Sequence, residues 1–383
     1  MKHITCPVCF EQIGVPEIGW RCERPGCRNA DFFREKKEIP FWERAGLVAS
    51  PRRWIHKVKG CGREATLRVC PKCHAELPAD IERLSNLSIA VIGAKGSGKS
   101  HFVAMLIHRL KDMAKEFGTS LMPLTQKTSD RYEEDFWNPL MNGCTIASTQ
   151  PDEQANPPLL YSLQLPGKGN RQVMLTFFDT AGENFQNGGR VEAIKRYIYK
   201  ASGLICLLDP LQLGDIRLAL QEAGHTEEEL PPQKDGLVKI RDTGNIIECV
   251  WRVIDEGRGL NGKAVDIPLA VAFSKMDFVP DAGRTARAMC NKLRRGTRHR
   301  GVFHEGEFRE IDELMRAWVD EVDERRTILQ GVTRFRRTGF FGFSALGSNP
   351  VGERLGEPLA PWRVEDPLLW ILAQKGWIRT VKE

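Results

Sequence analysis

The sequence feature that most constrains the fold of this chain is a glycine-rich segment, "GAKGSGKS", at residues 93–100. It follows the apolar run "LSIAVI" and precedes the helix-like sequence "HFVAMLIHRLKDM". The segment matches the pattern G-x-x-x-x-G-K-[ST], in which glycines let backbone N–H groups surround phosphates between a strand and a helix. It therefore predicts a polyphosphate-binding loop. We expect the loop to comprise Gly93, Ala94, Lys95, Gly96, Ser97, Gly98, Lys99, Ser100 and His101.

Two side chains of this loop have separate expected roles. The Lys99 ammonium is expected to reach the β- and γ-phosphates, and the Ser100 hydroxyl to bind magnesium. The helix N-terminus adds its positive dipole end. Lys95 is expected to be solvated or to lie near the γ-phosphate. A loop variant with an extra early lysine would carry it one position earlier, where this chain has Ala94.

Strand-like and helix-like runs alternate through most of the 383 residues. The strand-like runs lie at 87–93, 159–165, 172–179, 203–209, 267–274 and 338–345. The helix-like runs lie near 99–117, 189–201, 243–256, 281–295, 307–329 and 366–376. This alternation predicts an α/β fold with a mainly parallel, doubly wound sheet. Only "PGKGNR" joins the second and third strands, which is too short for a crossover helix, so they should form an antiparallel hairpin.

The third strand ends in the sequence "DTAG". It places Asp179 at the end of an apolar run and Gly182 three residues later. An acid at that point can hold magnesium through water, and a glycine amide can sense the γ-phosphate. Downstream of a phosphate-binding loop, the motif predicts the second part of a nucleoside triphosphate site.

Two further motifs, "SKMD" and "SAL", follow the fifth and sixth strands. The carboxylate of Asp277 can accept hydrogen bonds from the N1–H and 2-amino groups of guanine, which adenine does not offer. The aliphatic stem of Lys275 could lie along the base, and the Ala345 amide could meet the guanine carbonyl oxygen. The motifs predict a guanine-reading site formed by Lys275, Asp277, Ser344, Ala345 and Leu346.

With "GAKGSGKS", "DTAGE", "SKMD" and "SAL", the chain resembles the Ras-like, translation-factor-related class of GTPases over residues 85–350. Because a cysteine-rich N-terminus precedes this region, it also resembles bacterial TRAFAC GTPases of double-GTPase type. The resemblance implies a three-layer P-loop fold with a mostly parallel six-stranded sheet and one antiparallel hairpin strand. It also implies GTP or GDP with Mg²⁺, and a regulatory or conflict-related molecular switch rather than a metabolic enzyme.

The chain departs from the family pattern at three points. Ser274 stands where the family usually has Asn or Thr, and Glu183 stands where many members keep a water-orienting glutamine. The interval of 80 residues between Lys99 and Asp179 indicates an insertion in the first switch region. That region should supply a magnesium-binding threonine, either Thr145 or Thr149, and Thr149 is favoured because it is nearer the hairpin.

Slow hydrolysis is expected from this set of residues. The residues expected to act on the γ-phosphate are Lys99, Thr149, Gly182 and Glu183, and those expected to hold magnesium are Ser100, Thr149 and Asp179. Residues 142–154 contain no arginine, so an arginine from a partner would be needed for fast turnover. Two alternatives remain open: an ATP-using P-loop enzyme or remodelling factor, and a non-hydrolysing scaffold that keeps its nucleotide bound.

Seven of the eleven cysteines lie in the first 73 residues, which predicts a metal module rather than disulfides. The pairs in "CPVC" and "CPKC" have zinc-knuckle spacing and are assigned to one structural zinc site, with Cys6, Cys9, Cys70 and Cys73 as ligands. A second, nested site could be formed by Cys22, Cys27, His56 and Cys61. Cys22 and Cys27 could instead pair with the first knuckle, or His74 could replace His56.

The predicted organisation is a zinc-ribbon-like module at 1–80 and a nucleotide-binding domain at 84–383, with insertions near 118–158 and 210–242. The N-terminus has no apolar signal-peptide core, so a cytoplasmic location is expected. The basic run 283–301 precedes an acidic helix-like stretch, so contact with nucleic acid or membrane is not expected. A protein effector or activating partner is expected, and its identity and the oligomeric state stay open.

Overall fold

The structure is a computed structural model. It describes residues 3–23, 27, 31–34, 39–45, 54–55, 64–94, 96–147, 157–165, 172–177, 188–222, 224, 242–280, 283–323, 326–350 and 352–382.

The cysteine-rich N-terminal region consists of short strands. They are β1 (His3–Thr5), β2 (Gln12–Gly14), β3 (Gly19–Arg21), β4 (Asp31–Phe32), β5 (Trp54–Ile55), β6 (Glu64–Ala65), β7 (Leu67–Val69) and β8 (Glu76–Leu77), with one short helix, α1 (Phe41–Arg44). β1 and β2 form an antiparallel hairpin, and β5 pairs with β6. A four-stranded antiparallel sheet has the order β4-β3-β7-β8.

A seven-stranded sheet forms the centre of the remaining chain. Its strands are β9 (Ser85–Gly93), β10 (Ser120–Pro123), β11 (Leu159–Gln164), β12 (Gln172–Phe177), β13 (Gly203–Leu208), β14 (Leu269–Phe273) and β16 (Thr338–Gly342). Their order is β10-β11-β12-β9-β13-β14-β16. Along the row β12-β9-β13-β14-β16, each strand is parallel to the next. Strand β11 runs antiparallel to both of its neighbours, β10 and β12. Two short strands, β15 (Phe303–His304) and β17 (Thr380–Val381), pair outside this sheet.

Helices connect and cover these strands. They are α2 (Lys99–Asp112), α3 (Ala114–Phe117), α4 (Gln126–Arg131), α5 (Asn138–Met141), α6 (Gly188–Tyr199), α7 (Gly214–Glu222), α8 (Asp242–Arg258), α9 (Arg284–Arg294), α10 (Glu305–Val322), α11 (Thr327–Val332) and α12 (Asp366–Gln374). A π-helical stretch, Tyr132–Trp137, joins α4 to α5. All six predicted strands and all six predicted helical regions are present, and the β11–β12 hairpin is confirmed.

The predicted number of six strands is wrong, whereas the prediction of a single antiparallel strand, β11, is confirmed among the described strands of the large sheet. The segment 118–158, which we expected to be an insertion, supplies the seventh strand, β10, at the sheet edge. It also supplies α4, the π-helical stretch and α5, whose buried residues Tyr132, Phe136 and Leu140 join the main core. The insertion is therefore structured because it has apolar side chains to bury. The other predicted insertion, 210–242, contains α7, and 225–241 lies outside the described residues.

Helices cover both faces of the large sheet, and the strands alternate between two cores. In β13, Ile205 and Leu207 pack in the core that also contains α2 and α12. The alternate residues Leu204, Cys206 and Leu208 pack in the core formed with α6 and α8 to α11. Because successive strand residues point to opposite faces, a fully buried strand must be apolar throughout. This three-layer arrangement leaves the carboxyl ends of the parallel strands free to carry polar loops.

The N-terminal region packs against helix α6. The Phe10 ring lies 5.2 Å from the Tyr197 ring, and the Phe10 carbonyl accepts a hydrogen bond from Lys200 Nζ at 2.7 Å. An ion pair of 2.7 Å joins Arg196 to Glu11. The N-terminal region and the region of the large sheet are thus in direct contact through buried apolar as well as charged groups.

Candidate functional site

The phosphate-binding loop lies between β9 and α2, as its sequence predicts. Gly93 ends β9 where there is no room for a side chain: a Cβ atom would lie 2.5 Å from Ser97 Oγ and 2.7 Å from the Leu207 carbonyl oxygen. Gly96 and Gly98 have positive φ angles of 79° and 83°. These left-handed conformations favour glycine, as expected for a loop whose backbone N–H groups must surround a phosphate.

The start of α2 is suited to an anion. Its first turn carries no acidic residue, and no side chain caps its N-terminus. Lys99, the first helical residue, is buried, and its Nζ donates hydrogen bonds to the carbonyls of Gly93 at 3.0 Å and Ala94 at 2.8 Å. The Lys99 side chain therefore lies against the loop backbone, with its ammonium bonded to two loop carbonyls. Positive charge and the helix dipole together favour a polyphosphate here.

The "SKMD" turn contacts this loop directly. Ser274 Oγ donates a hydrogen bond to the Ser97 carbonyl at 3.0 Å, and the Ser274 N–H donates to the Leu208 carbonyl at 3.0 Å. The Met276 N–H donates to the Phe343 carbonyl at 3.2 Å, which fixes the turn against β16. Ser274, which departs from the family pattern, thus makes the link between the two loops.

Within this turn, Lys275 and Asp277 have different surroundings. Lys275 has a positive φ of 54°, a conformation that is uncommon for a residue with a side chain and costs energy. Its Nζ lies 2.6 Å from Asp209 Oδ2 at the end of β13. Asp277 is partly exposed, and its carboxylate makes no hydrogen bond or ion pair with any residue that the structure describes. That carboxylate is available to a ligand.

The "SAL" segment follows β16 and is held by residues 360–362, a strap from later in the chain. Ser344 and Trp362 exchange backbone hydrogen bonds of 3.2 and 3.0 Å, and the Ala360 N–H donates to the Leu346 carbonyl at 2.9 Å. The Ser344 hydroxyl accepts a hydrogen bond from the Gly347 N–H at 2.7 Å. The loop carrying the Ala345 amide is therefore fixed on both sides.

His101 connects the start of α2 to the predicted first switch region. Its Nε2 accepts a hydrogen bond from the Ile146 N–H at 3.2 Å. Burial, followed by the charge of Lys275, lowers the pKa of His101 to about 4, so the ring is neutral at pH 7 and able to accept. The neighbouring Thr145 is held by a 2.8 Å bond from its N–H to the Glu353 carbonyl. The structure thus places Thr145, the less favoured threonine, beside the first turn of α2.

Five of the residues predicted for the nucleotide site lie outside the described part of the chain. They are Lys95, Thr149, Asp179, Gly182 and Glu183. The roles assigned to the magnesium ligands, including Ser100, and to the groups expected to act on the γ-phosphate, including Lys99, all stay predictions.

Sequence reasoning missed two features of the site. Asp209 directly follows β13, which lies between β9 and β14, where parallel strands present polar residues to one edge of the sheet. Its position as an acid directly after "LICLL" was a visible signal. The strap at 360–362 had no such signal, since its contact with Ser344 depends on how the chain returns to the sheet.

A second candidate site lies in the N-terminal region, where four cysteines come together. The Sγ atoms of Cys6, Cys9, Cys70 and Cys73 all lie within 4.8 Å of one another. Cys6 Sγ is 3.8 Å from Cys73 Sγ, and Cys9 Sγ is 3.9 Å from Cys70 Sγ. Hydrogen bonding with Cys70 and Cys73, together with burial, raises the pKa of Cys6. Four thiolates so close together need a cation, which fits a Cys₄ metal site.

The two knuckles have matching backbones. In each, the residue after the second cysteine, Phe10 or His74, has a positive φ of 57° or 58°. The N–H of that residue donates to the carbonyl of the first cysteine at 3.0 Å in both knuckles. In addition, the Val8 and Lys72 N–H groups each donate to a cysteine sulfur at 3.4 Å. The thiol groups are thus pre-positioned by two equivalent turns.

The predicted second metal site is only partly covered by the structure. Cys22 is buried and Cys27 is partly exposed, and neither joins the first knuckle in the cluster found among the described residues. His56 and Cys61 lie outside those residues. His74 Nδ1 lies 3.0 Å from Asp31 Oδ2.

Among the described residues, no helix is both long and apolar enough to span a membrane.

Comparison with known proteins gives one relative over nearly the full length. It is named "putative ESX-1 scaffolding and assembly protein SaeC", from Mycolicibacterium smegmatis (strain ATCC 700084 / mc(2)155). The two chains are 26% identical over 404 residues, which cover 97% of this chain and 99% of the relative.

Solved structures with similarity include the Ski7 GTPase-like domain of S. cerevisiae bound to GTP. Its TM-score is 0.31 at 11% identity, covering 76% of this chain and 50% of that one. A Plasmodium falciparum protein described as "putative nucleolar GTP-binding protein 1" has a TM-score of 0.30 at 13% identity, covering 78% of this chain and 92% of that one.

The family comparison matches residues 87–332, which include the phosphate-binding loop and the "SKMD" turn, to the model described as double-GTPase 2. The match spans 246 of the 383 residues, more than half of the chain. The resemblance to double-GTPase proteins is thereby confirmed, and the chain belongs to the double-GTPase 2 family of P-loop GTPases.

Proposed function

We propose that this protein is a GTP-binding molecular switch that hydrolyses GTP slowly unless a partner assists. The observation that carries the proposal is the hydrogen bond from Ser274 Oγ to the Ser97 carbonyl, because it brings the turn with Asp277 to the phosphate-binding loop. One nucleotide could then contact both the Asp277 carboxylate, which has no described protein partner, and the phosphate-binding loop with Lys99. That combination favours guanosine di- and triphosphates over adenosine nucleotides.

Each part of the proposed site has a role in binding. Lys99 would release the carbonyls of Gly93 and Ala94 and pair with the β- and γ-phosphates, while the Ser100 hydroxyl would help to hold Mg²⁺. When bound, Mg²⁺ would neutralise charge that develops on the phosphates. Asp277 would accept from the guanine N1–H and 2-amino groups, and the Ala345 N–H would donate to the guanine carbonyl oxygen.

Hydrolysis would proceed by attack of a water oxygen on the γ-phosphorus. The bond to the bridging oxygen breaks, and GDP, inorganic phosphate and a proton are released. Glu183 in the usual glutamine position would orient this water poorly, so we propose a slow intrinsic rate and an activating arginine from a partner. Thr149 or Thr145 would close the first switch region over the γ-phosphate.

The N-terminal cysteines would form a structural zinc site in a module that recognises a protein partner. Because Cys6, Cys9, Cys70 and Cys73 fill all four positions of a tetrahedral site, no position is left for a reactive water. The name of the M. smegmatis relative refers to scaffolding and assembly, which supports protein partners for this chain. We also propose that residues 1–80 and 84–383 are the two functional units.

Calorimetric titration with GTP, GDP and ATP in the presence of Mg²⁺ tests nucleotide binding. We expect GTP and GDP to bind and ATP to bind at least a hundredfold more weakly, as roughly expected for a lost pair of hydrogen bonds to a charged group.

Lys99→Ala should abolish triphosphate binding. Asp277→Asn should shift preference toward xanthosine triphosphate, because xanthine carries an oxygen in place of the 2-amino group. Equal affinities for ATP and GTP in the wild type would overturn the proposal.

A second candidate function is a scaffold that binds GTP without turning it over. The relative's name and the glutamate at position 183 favour it. Single-turnover assays with the wild type and Glu183→Gln separate the two functions. Measurable phosphate release by the wild type that is abolished in Lys99→Ala supports a switch, and its complete absence supports a scaffold.

A further inference from the structure

Asp209 has a carboxylate that is fixed on both oxygens. Its side chain is 4% exposed, and Oδ1 accepts a hydrogen bond from the Leu211 N–H at 3.0 Å. Oδ2 accepts from Lys275 Nζ at 2.6 Å. The 3₁₀ turn Pro210–Gln212, whose first residue is proline, follows immediately and holds the backbone that supplies the N–H. The negative charge therefore has a defined position at the carboxyl end of β13.

Lys275 needs such a partner because its surroundings are positive. It starts from the end of β14, next to β13, and its charge is close enough to lower the pKa of His101 in the first turn of α2. Lys99 and the positive end of the α2 dipole lie at the same edge of the sheet. Without an acid, the Lys275 ammonium would be repelled from this edge and would turn to water. Asp209 offsets that repulsion.

The ion pair also fixes the direction of the Lys275 side chain. Adjacent strands lie about 4.8 Å apart, and the side chain crosses from the end of β14 to that of β13 to reach Asp209. The Lys275 side chain remains 25% exposed, and Asp277 follows it two residues later. A base bound to Asp277 could rest on the aliphatic stem of Lys275.

We propose that Asp209 is a positioning residue for guanine recognition: it holds the Lys275 stem flat along the sheet edge as a platform for the base. This inference rests on the proposed GTP binding. It concerns the base and not the phosphates, so its loss should weaken GTP and GDP equally and leave tripolyphosphate unaffected. A purely structural carboxylate would not discriminate among these ligands.

Asp209→Asn is the variant that tests this inference. Asparagine keeps an oxygen for the Leu211 N–H and removes the charge that holds Lys275. We expect the affinities for GTP and GDP to fall by about tenfold each, chiefly through faster dissociation. Competition by inorganic tripolyphosphate should be unchanged, and the ratio of GTP to ATP affinity should fall. A matched control is Asp266→Asn, an exposed acid paired with Arg337 near the opposite end of β14, which should bind like the wild type.

Rescue strengthens the test. Lys275→Met keeps a long apolar stem without charge, and in the double variant with Asp209→Asn no buried carboxylate is left unpaired. The double variant should bind GTP more tightly than Lys275→Met alone. Wild-type affinity for GTP in Asp209→Asn, or an equal loss for GTP and tripolyphosphate, would overturn the positioning role. A wild type that does not prefer GTP to ATP would instead overturn the proposed function.

Discussion

At the scale of single residues, Gly93 and Gly96 occupy the same loop for different reasons. At Gly93 a Cβ atom would meet Ser97 Oγ and the Leu207 carbonyl at 2.5 and 2.7 Å, and the second of these is backbone that cannot move aside. Gly96 has a φ of 79° but open space around the position of a Cβ atom. The first glycine is required by contact with β13, and the second by backbone conformation alone.

This difference predicts unequal effects of two alanine substitutions. Gly93→Ala should lower the free energy of unfolding by about 2–3 kcal/mol, because strand and loop must separate. Gly96→Ala should cost about 1 kcal/mol, the usual price of a left-handed non-glycine residue. Denaturant titration of the nucleotide-free protein measures both. If both variants lose the same free energy of unfolding, the contact with Leu207 is not what requires glycine at position 93.

A second prediction at this scale concerns His299, which is 1% exposed. Its Nδ1 accepts a hydrogen bond from the His304 N–H at 3.1 Å, and its ring stacks on Phe303. Burial lowers the pKa of His299 to about 4, with Glu307 opposing this shift and Arg363 adding to it. The folded protein thus holds this ring neutral where the unfolded chain would protonate it.

Stability should therefore fall as the pH drops. Because the folded pKa lies below the unfolded value of 6.5, the contribution of His299 is complete above pH 6.5 and is lost as the pH falls toward 4. The loss amounts to about 3 kcal/mol at most. Measured at pH 7, 5.5 and 4.5, the difference in free energy of unfolding between the wild type and His299→Asn should become smaller as the pH falls. If both proteins lose stability equally over this range, the burial of His299 is not responsible.

At the scale of elements, sequence reasoning was accurate where the pattern is local. Strands β13 and β14 are continuous apolar runs that are followed directly by a polar residue, and β9 ends in glycine, so their positions could be read directly. Sequence reasoning missed β10, a four-residue strand that ends in Pro123 and forms because β11 offers it an edge for pairing. Tyr132, Phe136 and Leu140 recur every four residues, a helical spacing that the acidic residues and proline between them concealed.

The candidate site divides in the same way. The phosphate-binding loop and the turn containing Asp277 were predicted because each motif is contiguous in the sequence. Asp209 was missed because its role depends on Lys275, 66 residues later in the chain. The partnership arises from strand order: β14 lies beside β13 only after the intervening helices have packed.

The contact between the first knuckle and α6 gives a prediction at this scale. Phe10 is 1% exposed and packs on Tyr197, whose hydroxyl donates a hydrogen bond to the Ile89 carbonyl in β9. Phe10→Ala should therefore lower the free energy of unfolding by about 3 kcal/mol. Glu11→Gln, which removes the partly exposed ion pairs with Arg196 and Lys200, should cost less than about 1 kcal/mol. Similar costs for the two variants would mean that charge rather than apolar packing joins the modules.

At the scale of the whole molecule, the cysteine-rich N-terminal region and the large sheet share one hydrophobic cluster. It contains Cys6 and Cys70 from the knuckles, Ile13 and Leu77 from the short strands, and Met174 from β12. Met174 is 1% exposed and lies on the strand next to β9. Loss of structure around the knuckles would therefore expose apolar surface on the large sheet.

Metal removal should consequently destabilise the nucleotide-binding region as well as the first 80 residues. Structural zinc contributes on the order of 10 kcal/mol to a small module, more than a cluster of this size can replace. We expect a chelator, or Cys70→Ser, to lower the melting temperature reported by bound nucleotide analogue, whereas Cys144→Ser, at an exposed cysteine, should not. Elemental analysis of the untreated protein should give one zinc per chain for the Cys₄ cluster, and two if the Cys22 and Cys27 region binds a second ion. An unchanged nucleotide-reported melting temperature after complete zinc loss would show that the two regions unfold independently, despite the core that they share.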